Sequence, residues 1–512
     1  MLNARSLHDS RWHDHLRSTP PPPSIADTFT RRRARRSHPH RTWDVAIIGL
    51  GPAGLAALLG IIRHARRPLS LLVVDPADRP GGDAYRRARP EHLLNARAAS
   101  MSVDPEDPDS FSHWLGRRER RPAQEVADSY ARRDHYGEYL DDMRMLAISL
   151  ANDSGHLIFR VRQGTVDIAE ADGKWELHFD HGEARLAQHV VLATGPRSRR
   201  DWNAGADPAR AAASPWELDY EEAVRRHGTG SALIAGGGLS GVDAVLSLAA
   251  AGWTGTITVA SAQGALPARH GAMPPAATVA PRAALAAGSA RTLLRDIRRA
   301  LESDVIAGRD WRTRVQLLRE DLPVLWPRLS PAERRRLLRH AAGLWNRHRH
   351  RMAPVAAARI EDLVRSGQLR VEPWRVTAVA AGPGPLAIRV RDRGGEHRTV
   401  EADVFIAAPG LDLAAGRDPL VGRLLTRGLV AASATGLGLG VEAVGTAVSR
   451  RRHGCSLHAI GAPLVGERLE STAVLELVAQ ARLAARELAA LLGQSRLAGV
   501  PAGRAEPLFS TD

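Results

Sequence analysis

Short apolar runs punctuated by glycine organise this chain, and the same order of elements occurs twice. Residues 44–48 read Asp-Val-Ala-Ile-Ile, the uninterrupted apolar pattern of a strand buried on both faces. Gly49-Leu50-Gly51-Pro52-Ala53-Gly54 follows. Leu55 to Ala65 then read as a helix, and Leu71 to Val74 as a second strand closed by Asp75. Strand, G-x-G-x-x-G, helix, strand and acid is the order a dinucleotide site requires. Gly49 permits the tight turn, Gly51 lets the backbone approach a pyrophosphate, and Gly54 lets the helix pack on the strand. Asp75 is placed to accept hydrogen bonds from a ribose.

The second occurrence begins with the apolar run Ala232 to Ala235. Gly236-Gly237-Gly238-Leu239-Ser240-Gly241, a helix over Val242 to Ala251 and a strand over Thr256 to Ala260 complete it. Two such units point to two nucleotides, and FAD with a nicotinamide nucleotide is the economical pair, because a flavin accepts hydride. Ser261-Ala262-Gln263 follows the second strand, with no acid for a ribose 2′-hydroxyl and no arginine for a 2′-phosphate. That leans towards NADH and leaves NADPH open. Val190 to Ala193 leads into Thr194-Gly195, and Asp403 to Ala408 leads into Pro409-Gly410. Each pair reads as a strand end leaving a nucleotide-binding sheet. His458 to Gly461 precedes an amphipathic helix over about Thr472 to Leu492, whose N-terminus is placed to face a flavin ring.

The fold class expected is α/β, with two Rossmann-like dinucleotide-binding domains and a helical insertion. Residues 1–42 form a disordered Arg/Pro-rich tail in this reading, and 43–214 the first part of an FAD domain. Residues 215–410 form a NAD(P)H domain carrying the insertion at about 280–350, and 411–512 the rest of the FAD domain. Trp311, Trp326 and Trp345 are the insertion's expected anchors, and it is expected to sit near the nicotinamide domain. Val45 to Ile62 is long enough to suggest a membrane span, but its glycine spacing and Pro52 assign it to the nucleotide turn instead. No membrane segment is expected, and a cytoplasmic location is.

Charge changes little in this picture. The net charge of +15 suggests a nucleic-acid binder until it is located. Residues 1–42 carry nine arginines and three acids, and residues 291–351 carry sixteen arginines and seven acids. These two segments account for the whole excess, which argues against nucleic acid as the partner of the globule. Lys174 is the only lysine. Cys455 is the only cysteine, so an intrachain disulfide, a Cys-rich metal site and a redox-active pair are excluded, and no metal site is expected.

Further motifs are His92-Leu93-Leu94-Asn95, Met101-Ser102, Arg133-x-x-Tyr136-Gly137-x-Tyr139-Leu140 and Gly238-Leu239-Ser240-Gly241-Val242-Asp243. Leu266-Pro267-x-x-His270, Trp345-x-x-His348-Arg349-His350-Arg351 and Gly466-x-x-x-Glu470-x-Thr472-Ala473-Val474 complete the set. Together they resemble a bacterial family of FAD- and NAD(P)-binding flavoproteins that includes a FAD-dependent urate hydroxylase and aspartate N-hydroxylases. Lysine and ornithine N-hydroxylases are more distant relatives. The resemblance runs from about residue 43 to 495. It implies that Gly49, Gly51, Gly54 and Asp75 bind FAD, and that Gly236, Gly238 and Gly241 bind the nicotinamide nucleotide, with Ser261 at its rim. Asn95, Met101, Gly195 and Gly461 would lie near the flavin. Gly461-Ala462 stands where many flavoproteins have Gly-Asp, so backbone groups would make the contact there.

The lone cysteine removes the flavin disulfide reductases, which share this architecture but need a cysteine pair. A monooxygenase, a simple reductase and an oxidase remain. A monooxygenase consumes O2 and needs a positioned substrate and a dry site rather than a nucleophile or triad. The substrate expected is a small anion, for which arginine supplies a planar fork of donors. Arg97, Arg133, Arg349 and Arg351 are the candidates. Each has a plain alternative: Arg97 pairing with Asp104, Arg133 as a solvated charge, and Arg349 and Arg351 as part of a basic helical surface. His92, His135 and His270 are candidate polar contacts, and Tyr136 and Tyr139 read as packing residues. The resemblance favours hydroxylation of urate to 5-hydroxyisourate. N-hydroxylation of an amino acid such as aspartate is the alternative, and a non-catalytic nucleotide-binding protein is a third reading.

Overall fold

A computed structural model describes residues 41–198, 210–271, 285, 288–382, 384–441, 446–450 and 454–494. The expected Arg/Pro-rich tail lies outside the described residues apart from its last two.

The chain first builds β1 (Thr42–Ile48), the helix α1 (Pro52–His64), β2 (Ser70–Val74) and a long helix α2 (Arg133–Asp153). β3 (Leu157–Val161), β4 (Thr165–Ala171), β5 (Lys174–Phe179), β6 (Ala184–Leu192) and the short β7 (Arg197–Ser198) follow. α1 is buried on every side from Ala53 to Ile62. A helix made of Ala, Leu, Ile and Gly has no polar face, so it needs partners all round.

The second body uses β8 (Ala211–Ala212), β9 (Ser231–Ala235), the helix α3 (Leu239–Ala250) and β10 (Thr256–Ala260). Four helices then leave the sheet: α4 (Ala290–Ile306), α5 (Trp311–Arg328), α6 (Pro331–His340) and α7 (Ala342–Arg349). β11 (Leu369–Glu372) returns to it. β12 (Arg375–Ala380), β13 (Leu386–Arg391) and β14 (His397–Ala402) form an antiparallel sheet of their own, and β15 (Val404–Ala407) rejoins the parallel one. β8 already belongs to this sheet, so the second body starts before the expected boundary at 214/215.

β16 (Leu411–Asp412) pairs with β7 where the chain passes back. β17 (Ala447–Arg450), β18 (Ser456–Ala459) and the helix α8 (Val474–Gln494) then complete the first body. Its strand order is β17-β18-β6-β1-β2-β3, with the β4-β5 hairpin attached to β6. The second sheet runs β11-β10-β9-β15-β8. α8 packs on α1 where Gly60 faces Ala485: a Cβ on Gly60 would lie 3.1 Å from the Ala485 methyl. No helix among the described residues is long and apolar enough to cross a membrane.

The helical insertion leaves the second sheet and also docks on the segment that returns to the first body after β18. Trp326 Nε1–H donates to the Gly466 carbonyl at 3.1 Å, Trp345 Nε1–H to Glu470 at 2.8 Å, and Arg319 pairs with Glu476. Trp311 instead packs inside the insertion, its ring 5.1 Å from that of His348. The insertion also touches the second body, as expected: the Ala268 N–H donates to the Arg347 carbonyl at 2.9 Å and Arg312 to the Arg269 carbonyl at 3.0 Å, while two of the three tryptophans spend their N–H groups on residues 466–470.

Burial also sets the pH limits of the fold. His189, His270 and His350 are each pushed down to about 4, primarily by burial. An unfolded histidine takes up its proton near pH 6.5, whereas these stay neutral in the native state until about pH 4. The unfolded chain thus binds more protons across that interval, and stability is lost as pH falls through it. Thermal unfolding followed from pH 7 to 4.5 should show the midpoint falling by several degrees.

Candidate functional site

The two glycine turns have matching geometry. Gly49 (φ +94°) and Gly236 (φ +130°) both occupy the left-handed region that glycine favours. A Cβ on Gly49 would overlap the Ala193 carbonyl, and one on Gly236 the Ala408 carbonyl, each where the neighbouring strand ends. Likewise a side chain on Gly54 would overlap the Gly49 carbonyl, and one on Gly241 the Gly236 carbonyl. At Gly51 and Gly238, by contrast, a Cβ would meet nothing within 4 Å. These two glycines border open space.

The helices behind the turns, α1 and α3, both lack a side-chain cap. Asp219, Ser289, Asp310 and Ser330 cap the helices that begin at Tyr220, Ala290, Trp311 and Pro331, whereas α2 and α7 also lack a side-chain cap. Two uncapped N-termini facing open space behind a glycine turn fit a pyrophosphate, whose charge the first-turn N–H groups and helix dipole would offset. Asp75 is held at the first cradle: Oδ2 accepts from the Leu50 N–H at 2.6 Å and Oδ1 from the Ala77 N–H at 2.8 Å. That fixes a carboxylate where the adenosine ribose of a first nucleotide would lie.

At the second cradle Ser261 is buried against Gly237, and its hydroxyl donates to the Ala265 carbonyl at 2.9 Å. A cation does lie near this turn, on the connection between β13 and β14. The exposed Arg393 donates to the Gln263 carbonyl and lies beside Gly264. Sequence reasoning missed it because 130 residues separate the partners.

The remaining candidates divide. Asn95 lies at the junction of the bodies, its carbonyl accepting from His270 Nε2–H at 2.9 Å. Gly195 (φ +71°) borders open space where the chain leaves β6. Met101 is buried in the core around α1 and α2, so it packs rather than lining a surface. The Gly461 N–H donates to the buried Gln480 Oε1 at 2.8 Å and is not free for a flavin. Arg97 sits 3.7 Å from Asp128, whereas Asp104 is taken by Arg63. Arg133 is buried rather than solvated, 2.6 Å from Asp243. Arg349 is a buried partner of Glu470 at 2.6 Å rather than part of an exposed basic face. Arg351 has no carboxylate partner among the described residues, and its buried Nε–H has no acceptor.

The histidines and tyrosines also separate. His92 is buried, taking the Arg89 N–H on Nδ1 at 3.1 Å and donating from Nε2 to Ser247 at 2.8 Å. His135 lies half-buried beside Asp134 and Arg132. Tyr136 and Tyr139 pack with Phe111, as their spacing suggested. A nucleophile–base–acid alignment does occur at Ser456, His458 and Glu487, with contacts of 2.9 and 3.3 Å. Ser456 and His458 are 1% and 0% exposed, so no substrate reaches them and the alignment is internal support.

The scattered motifs meet in space. His92, Leu93 and Arg133 of the first body meet Asp243 and Ser247 of α3, and His270 meets Asn95. Trp345 and Arg349 of the insertion meet Glu470. The motif set is therefore largely the set of contacts that locks the two nucleotide bodies and the insertion together. Among the described residues no cluster of His, Cys, Asp or Glu has the makings of a metal site.

Residues 46–197 match NAD_binding_9, a FAD-NAD(P)-binding family. A comparison with curated proteins returns no match. Among solved structures, the ornithine N-hydroxylase KtzI of Kutzneria sp. 744, described with reduced FAD, NADP+ and L-ornithine, is 14% identical. It superposes with a TM-score of 0.61 over 89% of this chain and 100% of that one. The L-lysine 6-monooxygenase of Pseudomonas syringae is 16% identical, with a TM-score of 0.60 over 88% and 100%. The cadaverine monooxygenase DfoA of Erwinia amylovora, bound to FAD, is 12% identical, with a TM-score of 0.58 over 92% and 99%. At these identities the likeness is one of fold, and it bears out the α/β architecture with two Rossmann-type domains.

Proposed function

We propose that this chain is a FAD- and NADPH-dependent monooxygenase that N-hydroxylates a small amine, an amino acid in the first instance. One observation carries the reading: two complete, uncapped nucleotide cradles, Asp75 on the first and Arg393 on the second, locked into one body. The likeness to flavin N-hydroxylases over nearly the whole of their length supports it. Urate, the first expectation from the motifs, gains no such support, because the substrates named for the compared enzymes are amines.

When bound, FAD would supply the oxygen chemistry and NADPH the hydride. The chain's own part is binding and alignment. Gly51 and the first turn of α1 would receive one pyrophosphate, with Asp75 taking a ribose. Gly238 and the first turn of α3 would receive the other. The Arg133–Asp243 and His92–Ser247 contacts hold the cradles in one relative orientation, as hydride transfer requires. The insertion, pinned by Trp326 and Trp345, would keep bulk water from the junction.

The test is NADPH oxidation by FAD-loaded protein against lysine, ornithine, aspartate, their decarboxylated counterparts and urate. Stimulation with hydroxylamine-type product is expected. Stimulation by urate alone, or peroxide formation that no amine changes, overturns the reading. Arg393 gives a separate prediction. A guanidinium–phosphate contact contributes about 1.5–3 kcal/mol, so R393A should weaken NADP+ binding about 10- to 100-fold and leave NAD+ unchanged. Calorimetric titration with each nucleotide checks it.

A further inference from the structure

The helix α4 is covered on one side only. Its inner side is finished: Leu293 joins Leu325, Trp326 and Leu329 in the insertion's small core, and the buried Asp304 pairs with Arg314 at 2.7 Å. Its outer side carries apolar residues that nothing covers. Leu294 is 38% exposed, Val305 69% and Ile306 88%, with Leu301 half-buried beside them. Ile306 is more exposed than any other large apolar residue described. Water against such a stripe is unfavourable, and a contiguous apolar patch of this kind marks a contact surface.

The shape and charge of the stripe say what covers it. Arg298, Leu301, Glu302 and Val305 stand at i, i+3, i+4 and i+7 and surround a hollow on the helix surface, with Ile306 at its rim. Four residues at that spacing form the hole that receives one side chain of a neighbouring helix. The hole carries one charge of each sign. Neither the Arg298 nor the Glu302 side chain has a partner among the described residues, although they lie one turn apart. The other charges near the helix ends are engaged locally, Arg295 by Asp296 at 3.6 Å and Arg309 by Asp304 at 3.5 Å. An anionic lipid surface would be repelled by Glu302 at the centre of the face. An antiparallel copy of the same helix suits both charges. Under a two-fold axis residue i meets j and j meets i. Arg298 opposite Glu302 and Leu294 opposite Ile306 share a single midpoint, position 300, so one axis satisfies both pairs.

We propose that the outer face of α4 is a self-association surface, on which α4 of a second copy of this chain lies antiparallel. Arg298 of each copy pairs with Glu302 of the other, so the ion pair forms twice. Leu294 of each covers Ile306 of the other, and Leu301 and Val305 fill the space between them. A helix of 17 residues is only about 25 Å long, so one helix pair makes a small interface and a dimer that dissociates on dilution. The inference is independent of the reaction the enzyme performs.

FAD-loaded full-length protein is followed by sedimentation velocity and light scattering from about 0.1 to about 100 µM, a range that brackets a weak dissociation constant. The mass should move from that of one chain to that of two. V305D/I306D should stay at one chain mass throughout, with circular dichroism and flavin content unchanged, because both side chains are exposed. R298E and E302R should each weaken association about 10-fold or more, since each sets like charges opposite one another twice. R298E/E302R should restore it, which a merely apolar patch would not do. A parent protein that keeps one chain mass at about 100 µM overturns the proposal. So does a dimer that V305D/I306D leaves intact, because the interface then lies elsewhere. A double reversal that recovers nothing also overturns it, since the two charges then do not face each other. Co-sedimentation of one-chain protein with phosphatidylglycerol vesicles, lost in V305D/I306D, overturns the dimer and gives the face to a lipid surface.

Discussion

A G51V variant should fold and purify colourless. Gly51 is the N-cap of α1 with φ −73°, a conformation open to any residue. A Cβ built there meets nothing within 4 Å, so the protein itself offers no clash. The isopropyl group would occupy the space in front of the first helical turn, where a pyrophosphate needs close backbone approach. Flavin retention should fall by at least about 100-fold, whereas unfolding free energy should change by about 1 kcal/mol or less, the usual scale for a cap residue. G54V should behave in the opposite way. Its side chain would overlap the Gly49 carbonyl, so the strand–turn–helix unit could not close and soluble yield should collapse. G238V completes the set: the protein should stay yellow and be reduced by dithionite, but no longer by NADPH. Absorbance, circular dichroism and calorimetry separate these cases. A yellow, NADPH-reducible G51V protein would mean that the first cradle does not hold the flavin.

The cradles were legible because everything that defines them is local. Gly49 to Asp75 is one βαβ unit, and its glycines report a turn, an approach and a packing contact within six residues. Strand ends were read to within about two residues for the same reason: apolar runs stop where the buried sheet stops. The pairs between residues far apart in the chain were not legible. Arg393 reaches Gln263 across 130 residues, and Arg349 reaches Glu470 across 121. No periodicity encodes such pairs. Arg133 was misread for a related reason. Flanked by Arg132 and Asp134, it looks solvated in sequence, yet those neighbours pair with each other and leave it to turn inward. Met101 and Gly461 differ from these. Their positions in the chain are those of flavin-side residues, but the side chain of one fills the core and the amide of the other is spent on Gln480.

Breaking the Arg133–Asp243 pair should produce the largest loss of stability of any single charged substitution considered. The two side chains are 11% and 5% exposed and 2.6 Å apart, and Arg133 also donates to the Leu93 carbonyl at 3.0 Å. Removing one partner strands the other as a buried, unpaired charge, a loss of about 3–5 kcal/mol. R133A and D243A should each therefore lower the unfolding midpoint by roughly 10 °C. Replacing both with apolar residues of similar volume, as in R133M/D243L, strands nothing, and most of that loss should be recovered. The double variant then isolates the pair's other role. Asp243 lies on α3, the helix behind the second cradle, and Arg133 begins α2 beside the His92–Asn95 loop, so this contact and His92–Ser247 together set how the cradles face each other. If that orientation matters, R133M/D243L should bind FAD and NADP+ normally while its flavin is reduced by NADPH at least about 10-fold more slowly, since misplacement of reacting groups by about 1 Å already costs more than that. Stopped-flow reduction alongside nucleotide titration makes the distinction. A double variant that is stable and reduced at the parental rate would show that the pair serves the fold alone.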